Sequence, residues 1–336
     1  MSVIKLGMGA IVALGTLGAV APAQAQEYQM RIAITAASTS FICRDLLSAW
    51  AGWIEEESGG RIDTELFCDA TLGQVGDTVN RVAAGVAEAG WDLPNVYGAR
   101  FANYGVVGVP GIIEDAPAAA AALWSLYGDG TFPPIDGLRL ATVQLQNTVM
   151  FWTRAPLADP TNLDGTKIIS GSSLRGATTV AMGGVPMSLR IPEYYQALAR
   201  GAADGLMTNM AAVSDYRFYE QAPYAYAAPW GAGFTFSFIN EAWYNSLPAD
   251  LQAVIDNNSG EAGSRRLTQM FLDYEAAQRE AMSADNRATI TVLSDEQLEV
   301  LAPVFETVAE QWVSSTENGQ AYLEAFVQAY EARVGQ

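Results

Sequence analysis

Tyr28-Gln29-Met30-Arg31-Ile32-Ala33-Ile34-Thr35 sets apolar side chains on alternate positions, the pattern of a strand with one buried face. From Cys43 to Glu57 the period changes: Leu46, Leu47, Trp50 and Ile54 fall on one side of a helix, and Gly59-Gly60 ends it. Arg61 to Phe67 reads as a second strand, Gly73 to Ala87 as a second helix, and Ala89 to Leu93 as a third strand. A βαβαβ opening favours right-handed crossovers and a parallel sheet.

The same order returns further along. Leu138 to Leu145 and Thr148 to Thr153 are strands that carry the chain away from the first unit. A second unit follows, with strands at Lys167 to Ser170, Val185 to Met187 and Asp204 to Met207, separated by helices at Ser173 to Met182 and Pro192 to Arg200. Tyr224 to Ile239 is strand-like, interrupted by Pro229-Trp230-Gly231. Pro248 to Asn286 is helical with a weak middle at Asn257 to Gly260, and Asp295 to Ser314 and Gly319 to Arg333 are helices. This predicts an α/β fold, a two-lobed clamshell hinged on crossing strands, with a ligand captured between the lobes.

Composition narrows the chemistry. The chain has 336 residues, room for about two domains. It contains no histidine, which excludes Ser-His-Asp and Cys-His catalysis and every His-ligated metal. No metal or cofactor motif is present. With 18 Lys plus Arg against 37 Asp plus Glu, the net charge of −19 repels a phosphate backbone, so nucleic acid is not an expected partner.

Residues 1–25 have the form of an export signal: Lys5, an apolar run from Leu6 to Ala21, then Ala23-Gln24-Ala25 as a cleavage site. Cleavage after Ala25 places the mature chain in the periplasm. In that compartment Cys43 and Cys68 are expected to form a disulfide.

Several segments, taken in order, resemble the solute-binding proteins of TRAP (tripartite ATP-independent periplasmic) transporters. They are Ser58-Gly59-Gly60-Arg61-Ile62, Leu72-Gly73, Val82-Ala83-Ala84-Gly85-Val86, Leu163-Asp164-Gly165-Thr166-Lys167-Ile168, Gly184-Val185-Pro186-Met187 and Pro192-Glu193-Tyr194-Tyr195-Gln196-Ala197-Leu198. Gly201-Ala202-Ala203-Asp204-Gly205, Phe218-Tyr219-Glu220, Ile239-Asn240 and Leu247-Pro248-Ala249-Asp250-Leu251-Gln252 continue the set. The resemblance implies a monomeric binder without enzyme activity, with a long helix spanning both lobes, that carries a small organic solute to integral membrane subunits. Lobe I is expected to comprise residues 26–147 plus about 236–276, and lobe II residues 148–235 plus about 277–336.

The sequence departs from the family at one informative place. Family members have Lys, an aliphatic residue and then an arginine that grips a solute carboxylate, whereas this chain reads Lys167-Ile168-Ile169. Ile169 donates no hydrogen bond, so a neutral or cationic solute is expected, bound by Phe41, Trp91, Asp92, Trp152 and Trp230, with Ile191, Thr208 and Asn209 at positions matching the family's cleft. The alternative is an organic acid held by a relocated arginine, Arg190 or Arg175. A secreted hydrolase working through paired carboxylates, and a periplasmic sensor of the same fold, are the competing classes.

Overall fold

The structure, a computed structural model, describes residues 27–335; the expected export signal and its cleavage site lie outside the described residues. Nine strands form one sheet: β1 (Tyr28–Ile34), β2 (Ile62–Phe67), β3 (Ala89–Asp92), β4 (Leu138–Thr153), β5 (Lys167–Ser170), β6 (Val185–Met187), β7 (Gly205–Thr208), β8 (Tyr224–Asn240) and β9 (Thr289–Val292). Eleven α-helices surround them: α1 (Ser48–Glu57), α2 (Thr78–Ala83), α3 (Ala116–Gly128), α4 (Ser173–Ala181), α5 (Ile191–Ala199), α6 (Met210–Asp215), α7 (Glu241–Ser246), α8 (Ala249–Asn257), α9 (Gly260–Ala284), α10 (Asp295–Ser315) and α11 (Gly319–Glu331).

The strand order is β2-β1-β3-β8-β4-β7-β5-β6, with β9 added beside β8. Both expected βαβαβ units are parallel, β2-β1-β3 in lobe I and β6-β5-β7 in lobe II. Each unit ends on one of the two long strands: β3 pairs antiparallel with β8, and β7 pairs antiparallel with β4. The strand pairs read separately from the sequence are single strands. β4 and β8 run together through both lobes, with register shifts between Leu145 and Thr148 and between Thr148 and Met150. Proline in a central ladder normally breaks it; Pro229 survives in β8 because these bulges leave its position out of the ladder, between the paired Ala227 and Ala232.

Helices cover both faces of each half of the sheet, giving two cores per lobe. In lobe I one core gathers Phe132, Phe236, Phe238 and the alanine-rich α3, and the other gathers Trp50, Trp91, Leu267 and Phe271. In lobe II the cores form around Trp152, Ile169 and Leu206, and around Phe151, Ile168 and Trp230. Helix α9 spans the molecule as expected: Leu267 and Phe271 belong to a lobe I core, Met282 to a lobe II core. A second helix does the same, since α10 places Leu301 in lobe II and Trp312 in lobe I. The C-terminus also departs from expectation. Phe326 and Tyr330 of α11 bury themselves in the lobe I core beside α3, because their apolar face has its complement there and not in lobe II.

In lobe I the second edge of β4 has no neighbouring strand. Helix α9 satisfies it with side chains. The backbone N–H groups of Val143, Leu145 and Asn147 donate to Ser264 Oγ (3.0 Å), Thr268 Oγ1 (3.1 Å) and Glu275 Oε2 (3.0 Å). Residues 264, 268 and 275 share one helix face, and alternate strand N–H groups point the same way, so the two periods match.

Cys43 and Cys68 form the expected disulfide, with a Cα–Cα distance of 6.3 Å, joining the segment before α1 to the end of β2. Replacing both by serine frees a loop spanning 25 positions, and we expect a loss of about 3 kcal/mol, measured by urea denaturation. An unchanged denaturation midpoint would show that the bridge adds nothing to stability.

Candidate functional site

The candidate site is the group of residues gathered where β5 and β7 end beside β4 and β8. Lobe I reaches it through Asn95, just after β3, whose Nδ2 donates to the Gly171 carbonyl beyond β5 at 2.8 Å. At the floor, the bulge of β4 places Gln146 and Asn147 opposite Gly233 of β8. A methyl on Gly233 would collide with Gln146 Oε1 and stand 2.8 Å from Arg175 Nη2, so only glycine leaves room for both side chains. A methyl on Gly171 would stand 3.3 Å from the Tyr194 hydroxyl and 3.5 Å from Arg175 Nη1. Arg175 is thus enclosed by the floor, by the end of β5 and by α5.

Arg175 is held there by local sequence. Ser172 caps α4, its hydroxyl accepting from the Arg175 N–H at 3.3 Å, and the guanidinium turns inward from the first turn. Its one protein hydrogen bond is long, Nη1 to the Met207 carbonyl at 3.4 Å. Among the described residues no carboxylate forms an ion pair with it. Burial pushes its pKa below the ordinary arginine value, with the Tyr194 phenol acting in the opposite direction. Tyr194 is itself raised by burial and lowered by Arg175. Four of its five N–H donors have no protein partner among the described residues. The amide of the buried Gln146 and the hydroxyl of the buried Thr208 also lack protein partners among the described residues.

The sequence-derived candidates are dispersed. Trp91, Trp152 and Trp230 are each 2% exposed or less and pack in three different cores, so their rings have protein on both faces. Phe41 is buried in lobe I, stacked on Tyr274 at 4.2 Å. Asp92 is buried and its oxygens are taken by Thr35 (3.1 Å), Leu93 N–H (2.8 Å), Gly76 N–H (3.2 Å) and Tyr97 (2.5 Å). Burial raises its pKa, and these four donors pull it back down. That arrangement fixes the loops around β3 and leaves nothing for a cation.

Ile169 is fully buried between β6 and β7, and Ile191 is half-buried on the same core. Asn209 caps α6 by accepting from Ala212 N–H at 2.7 Å. Arg190 points outward, 87% exposed, beside Glu193. Of the two arginines considered from sequence, Arg175 turns inward beside Gly171, Met207 and Gly233, and Arg190 faces outward. Gln146, Gly233 and Asn95 carried no sequence signal, because a polar residue in a bulge reads like any break between two strands.

The chain matches the family described as bacterial extracellular solute-binding protein, family 7, over residues 32–316. The chain belongs to this family. It is similar to the ectoine-binding periplasmic protein TeaA of Halomonas elongata, 21% identical over 291 residues and 83% of each chain. It is 25% identical over 332 residues, 95% of each chain, to the ectoine/5-hydroxyectoine-binding periplasmic protein UehA of Ruegeria pomeroyi. Among solved structures, a TRAP solute-binding protein of Rhodoferax ferrireducens in complex with copurified benzoate superposes with a TM-score of 0.83, at 21% identity and over 91% of this chain and 98% of that one. A marine metagenome TRAP protein specific for aromatic acid ligands superposes at 0.85, with 19% identity, 92% of this chain and 100% of that one. The family member described here is the extracytoplasmic solute receptor of a TRAP transporter, capturing a small organic solute and delivering it to the membrane subunits. The family is one of periplasmic binders, not of enzymes.

The burial of Trp230 predicts that Trp230→Ala will lower the solute-free unfolding free energy by roughly 3–5 kcal/mol, read by denaturant titration. A solute-free stability equal to that of the unchanged chain would put the ring at the cleft surface instead.

Proposed function

We propose that the solute is an organic acid whose carboxylate is held by Arg175, and that it leaves the site chemically unchanged. The observation that carries this reading is the enclosed guanidinium without a protein carboxylate. A cationic solute would meet that charge unopposed. A neutral one would leave it uncompensated, at a cost of several kcal/mol. In this reading the argument from Ile169 toward a neutral or cationic solute loses its force, because Arg175 can supply the guanidinium from α4 while Ile169 is core. Bound benzoate and aromatic acid ligands in two structural neighbours support the same direction.

In this reading Arg175 forms a two-pronged pair with the carboxylate, and Gln146 and Thr208 supply the polar contacts left open beside it. Asn95 brings lobe I down on the Gly171 carbonyl, so solute contact with Gly171 and closure of the lobes go together. Export with cleavage after Ala25 completes the proposal, and mass spectrometry of the mature N-terminus tests that step.

Thermal shifts and calorimetry with benzoate, 3-hydroxybenzoate, pyroglutamate and mandelate, against glycerol and choline, test the solute class. We expect acids alone to bind, and Arg175→Gln to weaken them about 100- to 1,000-fold. Binding of choline or glycerol alone, or acid affinity untouched in Arg175→Gln, would overturn the reading.

A further inference from the structure

Tyr194 and Tyr195 are neighbours in α5, and the fold uses the hydroxyl of only one of them. The Tyr195 hydroxyl donates to Glu220 Oε2 at 2.7 Å and accepts from Gln221 Nε2 at 3.1 Å, tying α5 to the segment before β8. Tyr194 is 6% exposed, and its ring packs in the core of Ile169, Leu198 and Phe218, with the Phe218 centroid at 5.8 Å. Its hydroxyl has no protein partner among the described residues. A phenylalanine would fill the same core, so the oxygen adds nothing to the packing, and a buried tyrosine normally finds its hydroxyl a partner.

The hydroxyl comes to the end of β5. A methyl on Gly171 would stand 3.3 Å from it and 3.5 Å from Arg175 Nη1, and, apart from the chain on either side of Gly171, nothing else would lie within 4 Å. Beside Gly171 there is thus an atom-sized gap bordered by a phenol and a guanidinium. The other prong of the guanidinium, Nη2, stands with Gln146 beside Gly233. We propose that Tyr194 is a second ligand of the solute acid, its phenol donating to the carboxylate oxygen that Arg175 Nη1 also holds, beside Gly171.

This inference rests on the Arg175 reading of the site. A carboxylate oxygen has two lone pairs and accepts from two donors at once, and here the donors come from two helices, α4 and α5. The guanidinium supplies the charge. The phenol supplies direction, because it accompanies one prong while the Gln146 amide accompanies the other, and the two oxygens of the acid then meet different partners. As a neutral donor it does this without burying a second charge. The same geometry separates binding from stability: with no protein partner to lose, removal of the hydroxyl leaves the solute-free fold as stable as before or more so.

Calorimetry of the full mature chain at pH 7 with benzoate, 3-hydroxybenzoate and pyroglutamate, together with solute-free melts, tests the assignment. Tyr194→Phe should weaken all three acids about 10- to 100-fold, the loss of one hydrogen bond to a charged group, while its solute-free melting temperature equals or exceeds that of the unchanged chain. Gly171 does not adopt a positive φ, so its backbone accepts alanine. The methyl of Gly171→Ala enters the gap and should weaken the acids at least as much.

Affinity within twofold of the unchanged chain in Tyr194→Phe, with binding still lost in Arg175→Gln, overturns the role of Tyr194 and leaves the Arg175 reading standing. Unchanged affinity in Gly171→Ala does the same. A loss in Tyr194→Phe that comes with a lower solute-free melting temperature makes the hydroxyl structural, and a loss confined to 3-hydroxybenzoate makes it a reader of the solute's own hydroxyl; either overturns the proposal. Acid affinity untouched in Arg175→Gln, or no acid bound by the unchanged chain, removes the Arg175 reading and this inference with it.

Discussion

The structure depends on how one strand edge is satisfied. Among the described residues, the first half of the chain passes from lobe I to lobe II along β4, and in lobe I one edge of β4 meets no strand. Buried N–H groups without partners would each cost about 1–3 kcal/mol, enough to unseat the crossing. Ser264, Thr268 and Glu275 remove that cost and in doing so lock a 25-residue helix to the strand. Inside the sheet the same region is tied by a buried polar group: Gln144 donates to Ser237 at 2.9 Å and accepts from Thr235 at 2.8 Å, joining β4 to β8 through side chains as well as backbone. Between the lobes the ladder of β4 with β8 is interrupted, its register shifting between Leu145 and Thr148 and between Thr148 and Met150.

The bulge after Leu145 breaks the ladder between β4 and β8 and turns Gln146 toward Gly233, so the interruption of the sheet falls among the residues of the proposed site. Gly231 belongs to the same arrangement. Its φ of 86° and the approach of the Gly108 backbone leave no room for a side chain, and β8 can pass the lobe I segment before α3 only there. A solute that contacts this floor and Arg175 touches both the hinge and lobe II.

Most of the fold was legible in the sequence because periodicity reports which face of an element is buried. Both βαβαβ units, α9 and the disulfide are written in local patterns. The continuity of β4 and β8 was not, since Asn147 in one and Pro229 in the other carry turn chemistry, and the ladder tolerates them through bulges set by the partner strand. β9 was missed although Thr289-Ile290-Thr291-Val292 alternates, because a run of four residues is too short to tell a strand from a loop. The placement of α11 was missed because its partner, α3, lies nearly two hundred residues away in sequence. The site was the least legible part. Tryptophans at strand ends have the same local signature whether they face a cleft or a core, and Trp91, Trp152 and Trp230 chose the core.

The position of the arginine shows why a missing motif residue is weak evidence about a ligand. A guanidinium carried on the strand at position 169 would enter the cleft from the end of β5. One carried at position 175 enters from the first turn of α4, six residues later, and its reach lets it arrive beside the same Gly171. The exchange also changes the neighbourhood, for Ile169 can then complete a core between β6 and β7, and that core holds Tyr194 against Phe218 at the edge of the site. In the proposed reading, a cation carried on the helix and not on the strand leaves the wall beside β5 more apolar while keeping the charge.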